Sequence, residues 1–197
     1  MTTLDTALPA DTSSLPRLHE RLVREAVADG SLDLAYRSVD SPIGPLLLVR
    51  TPQGLVRIAF AREDHDRVLD LLATKISPRI LRAPARLDDA ARQVEEYLAG
   101  HRPQFELPLD LRLAGGFRRE VLQHLRQIAY GQTESYAQVA AATGRPTAVR
   151  AVGTACATNP LPLVVPCHRV VRHDGSYGGY LGGVEVKAKL LALEAGR

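Results

Sequence analysis

The sequence predicts a two-domain α/β protein, in which a small antiparallel β-sheet with helices is followed by a mostly helical domain. Apolar residues recur at helical spacing up to about residue 29, alternate as in strands from residue 34, and return to helical spacing beyond about residue 111. The charge balance changes at the same place: residues 111–197 carry eleven Lys or Arg and five Asp or Glu, against fourteen and seventeen in residues 1–110. Together these changes predict domains at 14–110 and 111–197.

The first half alternates helix and strand signals. Residues 1–13 are rich in Thr, Ala, Asp and Ser and are predicted to be a disordered tail. The next segment, 14–29, has the spacing of an extra N-terminal helix and stops at Gly30. Turns of sequence SPIG and TPQG separate strands at 34–39, 45–50 and 55–61, which predicts an antiparallel meander. Two helices at 64–75 and 88–99 and an extended piece at 104–109 complete the domain.

The second half contains a helix-turn-helix pattern. An amphipathic helix ends before Gly131, with its apolar face at Phe117, Val121, Leu125 and Ile128. Ser135 is placed to cap a helix at 136–142, and Thr147 a second one that runs to about 158; Gly144 and Pro146 interrupt the chain between them. The last helix, at 184–195, is predicted to bury Val186, Leu190 and Leu193.

Composition limits the classes of function. Hydrophobic residues make up 45% and charged residues 24% of the 197, which is typical of a globular protein. No apolar run reaches the roughly 20 residues of a membrane span, and the N-terminus lacks the pattern of a signal peptide, so we expect a cytoplasmic protein. Two cysteines and scattered histidines predict neither a disulfide framework nor a metal site. The basic second half indicates a polyanionic partner, although a merely solvated surface would look the same.

The segment LVVPCHRVV, at 163–171, is where chemistry is expected. A cysteine becomes a good nucleophile at neutral pH only with a base or a positive environment, and His168 next to Cys167 is a candidate base acting through a water. Glu194, near the apolar face of the last helix, is a candidate partner for the imidazole. Chemistry alone leaves open a second interpretation, in which Cys167 is a packed core residue and His168 its surface neighbour.

Together these features resemble the O6-alkylguanine-DNA alkyltransferases, or methylated-DNA–protein-cysteine methyltransferases. The resemblance is dense in FRREVLQHLRQIAYGQTESYAQVA, RAVGTACATNPLPLVVPCHRVV and DGSYGGYLGGVEVKAKLLALE, and looser in VDSPIGPLLLVRTPQGLVRIAF. It implies a ribonuclease H-like first domain and a winged-helix-like second one. It also implies DNA repair without a cofactor: an irreversible, single-turnover transfer of methyl or larger alkyl groups from O6 of guanine, and from O4 of thymine, in flipped-out nucleotides.

The resemblance assigns roles in the reaction to individual residues. Cys167 would accept the alkyl group, with His168 as its base through a water and Glu194 orienting His168. Tyr136 would protonate the leaving guanine at N3, and Asn159 would brace the turn before the active-site segment. Without the family, Tyr136 could be an ordinary core residue of its helix and Asn159 a helix-ending residue.

The resemblance also implies how DNA is held. Arg150 would enter the base stack when the damaged nucleotide flips out, whereas alone it could be a phosphate contact or a solvated side chain. The small residues Ala148, Ala151 and Gly153 would let this helix approach the minor groove of double-stranded DNA, largely independently of sequence. The guanine pocket would be lined by Cys156, Pro162, Val170, Tyr180 and the backbone of Leu181. Tyr180, between glycines, could equally be a loop anchor.

Several features depart from the family pattern. Relatives often carry a serine at the position of Leu181, relatives can have a tryptophan in the last helix, and the zinc ligands of some members are not evident. The first 30 or so residues extend beyond compact bacterial members. A non-catalytic alkyl-lesion sensor would lack the reactive cysteine, and a DNA-binding transcriptional regulator would not need the Cys-His-Glu set; a cysteine hydrolase fits less well still. We expect a monomer in solution, with no membrane contact, and leave cooperative assembly on DNA open.

Overall fold

The first half is built on a four-stranded sheet in the computed structural model, which describes residues 14–196. The predicted tail at 1–13 lies outside the described residues. The strand order is β3-β2-β1-β4, with β1 at Leu34–Val39, β2 at Leu46–Thr51, β3 at Gly54–Phe60 and β4 at Ile80–Arg82. The first three strands pair antiparallel, as predicted. The prediction of a purely antiparallel sheet is wrong, because β4 runs parallel to β1. A strand of three residues is too short to show a period of two in the sequence.

The helices of the first half lie close to the predicted segments. They are α1 (Ser14–Ala28), α2 (His65–Lys75) and α3 (Asp88–Leu98). The carboxylate of Asp64 caps α2 by accepting hydrogen bonds from two backbone amides of its first turn. The piece predicted as extended at 104–109 pairs with the sheet only through an isolated bridge between Leu109 and Leu55.

The two halves of the chain share one hydrophobic core. Leu46 and Leu48 of β2 belong to a large cluster that continues into the second half through Val121 and Leu163. The alternating residues of β2 face the other side of the sheet, where a smaller cluster includes α2. The sheet therefore supports the second half directly, and polar groups such as Tyr97 and Glu194 that meet across this boundary are buried.

The second half is mostly helical. Its helices are α4 (Gly116–Leu125), α5 (Tyr136–Ala142), α6 (Val149–Ala157) and α7 (Val184–Glu194), and two short strands, β5 (Glu134–Ser135) and β6 (Val170–Val171), pair in parallel. Ser135 caps α5 in a capping box with Gln138, as its position predicts. The predicted Thr147 cap is wrong: α6 starts after Ala148, whose amide bonds back to the Arg145 carbonyl at 2.8 Å, so backbone bonds form this turn.

One further boundary differs from the sequence prediction. Helix α4 ends at Leu125, earlier than the predicted end just before Gly131, although Ile128 is buried as the periodicity requires. The chain leaves the helix after Arg126, and Ile128 packs from the following turn.

No helix in the described part, 14–196, is long and apolar enough to cross a membrane.

Candidate active site

Cys167 opens a short 3₁₀ turn (Cys167–Arg169) that leads into β6. Its side chain is only 2% exposed, and its Sγ accepts a hydrogen bond of 3.1 Å from Nδ2 of Asn159. Asn159 also donates to the Val165 carbonyl at 2.8 Å and accepts from the Leu161 amide at 3.0 Å. Between these contacts Leu163 adopts a φ of 74°, a conformation that L residues avoid. Asn159 therefore holds a strained loop in the shape that presents the sulfur.

His168 is fully buried and pairs with a carboxylate. Its Nε2 lies 2.8 Å from Oε1 of Glu194, while its Nδ1 has no hydrogen-bond partner among residues 14–196. Burial lowers the pKa of His168, and the pull of Glu194 in the other direction does not overcome it. A neutral imidazole that donates from Nε2 to a carboxylate carries its free lone pair on Nδ1. The predicted base is therefore in a tautomer that can accept a proton.

Glu194 is the centre of a buried polar network. Besides His168, it accepts hydrogen bonds from Arg169 at 2.9 Å, from the Tyr97 hydroxyl at 2.5 Å and from the Gly131 amide at 3.1 Å. Burial opposes the carboxylate charge, but the bonds from His168, Arg169 and Tyr97 outweigh it and lower the pKa of Glu194 to about 2. The carboxylate therefore stays ionised beside His168, as a partner that stabilises an imidazolium must.

Helix α7 turns a polar stripe towards this network. Leu190 is buried as predicted, but it is joined by Lys187 and Glu194, and the predicted Val186 and Leu193 are only partly buried. The ammonium of Lys187 donates to the carbonyl of Val170 in β6. Burial lowers the pKa of Lys187. Polar partners in the interior, and not apolar periodicity alone, decide which face of the helix turns inward.

The phenol of Tyr136 lies near the sulfur of Cys167. Burial raises the pKa of the Cys167 thiol to about 11, while the hydrogen bond from Asn159 and the charge of Lys187 act in the opposite direction. Burial and the two cysteine sulfurs raise the pKa of Tyr136 to about 12, so its hydroxyl keeps a proton to donate. A Cβ at Gly178 would lie 2.3 Å from that hydroxyl, which means that the glycine-rich loop needs glycine there.

The residues predicted to line the guanine pocket are buried or partly buried. Cys156, Pro162 and Val170 are buried. The ring centroid of Tyr180 lies 5.6 Å from that of Phe60 and 6.3 Å from that of His168. The Tyr180 hydroxyl is buried without a hydrogen-bond partner in the described part of the chain. Leu181 is only partly buried and lines a cavity of about 280 Å³ on the side of Asn159. Among residues 14–196, no group of His, Cys, Asp or Glu is arranged to hold a metal ion.

The predicted DNA-binding residues lie on one exposed side of the helix-turn-helix. Helix α6 buries Val152, Ala155 and Cys156. Arg150 and Ala151 are exposed, and Ala148 and Gly153 are partly so. Within 14–196 Arg150 has no ion-pair partner, and a Cβ at Gly153 would meet open space. The predicted contact residues are therefore accessible on this face: three are small and Arg150 is a long cation.

The site also contains residues that the sequence analysis missed, namely Tyr97, Arg169 and Lys187. Arg169 is in the quoted motif, and its burial against Glu194 could have been suspected from its place next to His168. Lys187 lies seven residues before Glu194, a spacing that puts both on one helix face. The spacing of α3 puts Tyr97 in the core, but no local signal connects its hydroxyl with Glu194.

Two family models match the chain. Residues 34–111 match the ribonuclease-like domain and residues 116–196 the DNA binding domain of 6-O-methylguanine DNA methyltransferase. The chain belongs to this family. The constitutive methylated-DNA–protein-cysteine methyltransferase of Bacillus subtilis is 39% identical over 160 residues, covering 81% of this chain and 94% of that relative.

Solved structures of the family agree with the fold. The O6-methylguanine methyltransferase of Mycobacterium tuberculosis aligns with a TM-score of 0.73 at 36% identity, over 83% of this chain and 94% of that one. The same mycobacterial protein in complex with DNA aligns with a TM-score of 0.71 at 36% identity, over 82% and 93%. A small sheet domain followed by a helical domain is thus the architecture of this methyltransferase family.

Proposed function

We propose that this methyltransferase repairs DNA by moving an alkyl group from O6 of guanine, and from O4 of thymine, to Cys167, once per molecule. The observation that carries the proposal is the buried sulfur beside a neutral imidazole whose Nε2 is fixed on Glu194 and whose Nδ1 is free. The names of the relatives point to the same reaction. The product is a thioether, which is chemically stable, so the protein is consumed in the reaction.

The first step is removal of the thiol proton. A thiol with a raised pKa is a poor nucleophile at neutral pH, so it needs a base as the reaction begins. His168 takes the proton at Nδ1 through a water, and the Glu194 carboxylate stabilises the imidazolium. Asn159 donates to the sulfur and so stabilises the developing thiolate.

The second step is displacement at the alkyl carbon. The thiolate attacks this carbon, the carbon–oxygen bond breaks, and the electron pair remains with the guanine. Tyr136, held against Gly178 near both cysteines, gives its proton to N3 of the leaving base. A donor aimed at charge that develops in the transition state is among the larger contributions to catalysis. Tyr180, Val170, Pro162, Cys156 and the Leu181 backbone would surround the base.

The partner of the reaction is duplex DNA, approached through the minor groove. The exposed position of Arg150 and its lack of an ion-pair partner within 14–196 suit a side chain that fills the space of a flipped nucleotide. The small residues Ala148, Ala151 and Gly153 suit close contact with the groove. The DNA complex of the mycobacterial relative supports DNA as the partner, and the degenerate pattern of the minor groove makes binding largely independent of sequence.

We also propose domain boundaries and fold types for the two halves of the chain. We assign residues 14–110 to a ribonuclease H-like domain with an added N-terminal helix, and 111–197 to a winged-helix-like domain that holds both DNA and the reactive cysteine. We also propose that the protein acts as a monomer in the cytoplasm. The description of the first family model as ribonuclease-like, and the small β5–β6 sheet beside α5 and α6, support the two fold assignments.

Mass spectrometry tests the proposed function. Folded, reduced protein incubated with duplex DNA that contains one O6-methylguanine should gain one methyl group, about 14 Da, on the peptide that contains Cys167. Cys167→Ser should gain nothing, and Cys156→Ser, its matched control at the neighbouring buried thiol, should be methylated. Tight binding to the lesion without an adduct would instead favour a lesion sensor or regulator, and would refute alkyl transfer.

A further inference from the structure

Tyr97 brings a hydroxyl group from the first half of the chain into the reaction centre. Tyr97 is on α3 and is fully buried, and its ring centroid lies 5.0 Å from that of Phe105 and 6.2 Å from that of Tyr130. Its hydroxyl donates to Oε1 of Glu194 at 2.5 Å and lies 3.2 Å from Nε2 of His168. Burial and the carboxylate charge raise the pKa of Tyr97, so the phenol stays protonated.

Tyr97 and His168 both form a hydrogen bond with the same carboxylate oxygen of Glu194. Oε1 of Glu194 accepts from Tyr97 and from His168, and Arg169 donates to both carboxylate oxygens. Each donor withdraws negative charge from that oxygen and fixes its direction. The Tyr97 hydroxyl therefore adds to both effects of Arg169: it helps to fix the direction of Oε1 towards the imidazole, and it further weakens the pull of Glu194 on an imidazolium.

We propose that Tyr97 is a positioning residue for alkyl transfer, whose hydroxyl holds the Glu194 carboxylate, and through it the His168 imidazole, in the arrangement that accepts the thiol proton. The inference rests on the proposed transfer to Cys167. It makes the first half of the chain part of the reaction centre, because the hydroxyl comes from α3 while the other members of the network come from 128–194.

The sign of the expected pH effect follows from the groups around the imidazole. The charged or titratable groups that face His168 and Glu194 are Tyr97 from α3, Tyr130 after α4, Cys167 and Arg169 of the 3₁₀ turn, Tyr180 of the glycine-rich loop, and Lys187 of α7. Without the Tyr97 hydroxyl, more negative charge remains on Oε1 and the imidazolium is favoured. His168 then becomes protonated at a higher pH and is lost as a base there.

Tyr97→Phe tests the inference, because it keeps the ring and removes only the hydroxyl. Single-turnover methyl transfer from duplex O6-methylguanine DNA should slow roughly tenfold at neutral pH. In a plot of rate against pH, the acid limb is the range in which the rate falls because His168 becomes protonated. This limb should move up by about 0.5–1 pH unit. Tyr130→Phe is the matched control. The Tyr130 ring is in the same aromatic cluster and its hydroxyl is near the Glu194 charge, but that hydroxyl donates to the Leu193 carbonyl at 3.5 Å and not to the carboxylate, so the acid limb of this variant should stay in place.

A purely structural role for Tyr97 would give a different result. Loss of folded protein would lower the amplitude of methyl transfer without moving the limb, and that result, or a rate equal to wild type, would overturn the inference. Failure of the wild-type protein to transfer methyl would instead refute the proposed function. An NMR titration of the His168 ring gives a readout without DNA: its pKa should be higher in Tyr97→Phe than in wild type, and an unchanged or lower value counts against the role.

A second perturbation covers the case in which Tyr97→Phe does not fold. Placing 3-fluorotyrosine at Tyr97 keeps every contact and makes the hydroxyl a stronger donor to Glu194. The acid limb and the His168 pKa should then move down, opposite to the effect of removing the hydroxyl. No movement, or movement upwards, would contradict the inference.

Discussion

The reaction centre and the exposed face of α6 use opposite physical arrangements. At the centre, Glu194, His168 and Arg169 are nearly inaccessible to solvent and are fixed by short hydrogen bonds. On α6, Arg150 points into solvent without an ion-pair partner within 14–196. Burial makes each charge at the centre depend on its neighbours, whereas exposure leaves Arg150 free for an outside partner. In the proposed function, the chemistry therefore depends on contacts within the fold, and recognition of DNA depends on groups that the fold leaves unpaired.

The largest expected effect of breaking the buried network comes from Glu194→Gln. It removes the charge partner of Arg169 and His168 and leaves a buried guanidinium uncompensated, which should cost about 3–5 kcal/mol of unfolding free energy. Methyl transfer should fall by at least 100-fold, since the imidazolium loses its stabilising carboxylate. Denaturant unfolding and single-turnover assays measure the two losses. Glu185→Gln, on the exposed first turn of the same helix, is the control and should change little.

Wild type and Glu194→Gln can also be compared at different pH values, and the direction of the change in their stability difference is predictable. The pKa of Glu194 is lowered from 4.5 to about 2, so its contribution to stability is fully present above the unfolded value and is lost as pH falls towards about 2. The stability difference between wild type and Glu194→Gln should therefore shrink on acidification across that window. A difference that stays constant from neutral pH down to about pH 2 would show that the carboxylate charge is not what stabilises the network.

On the exposed side, Arg150→Ala should damage function without damaging the fold. Because flipping a nucleotide costs a few kcal/mol, loss of the side chain that replaces it should slow repair of duplex DNA roughly 10- to 100-fold. Reaction with free O6-methylguanine base should change far less, and unfolding free energy should stay within about 0.5 kcal/mol of wild type. Arg145→Ala removes the same charge from the preceding turn and controls for general electrostatics. Equal losses on duplex and free base would refute the flipping role.

The smallest effect is expected from Gly153→Ala, which should raise the stability of the free protein and lower its affinity for DNA. A Cβ there meets open space and the residue is inside α6, so alanine should stabilise the helix by about 0.5–1 kcal/mol. Thermal unfolding should then shift up by about 1–4 °C. Affinity for duplex DNA should decrease modestly, since the backbone can no longer approach the groove as closely. A more stable variant with unchanged affinity would show that Gly153 is not at the interface.

Much of the fold was predictable because it depends on local signals. Periodicity located the helices and three strands, Ser135 caps α5 as its position predicts, and Asp64 precedes the helix that starts at residue 65. The strand at Ile80–Arg82 was missed because three residues show no period, and they pair with β1 only when the chain folds back. The Thr147 cap was wrong because α6 starts after Ala148, whose amide bonds back to the carbonyl of Arg145 in a backbone turn.

The order of residues along the chain specifies the chemistry that is available: a cysteine, a histidine, a glutamate and a tyrosine in an order that resembles one family. Tertiary structure alone decided which of these groups share a hydrogen-bond network. It turned Lys187 and Glu194 inward, buried Arg169 against the carboxylate, and brought the Tyr97 hydroxyl across the shared core to Glu194. The physical reason is that sequence periodicity records how apolar a helix face is. The partner of a buried polar group depends on where distant segments meet, and no local pattern contains that information.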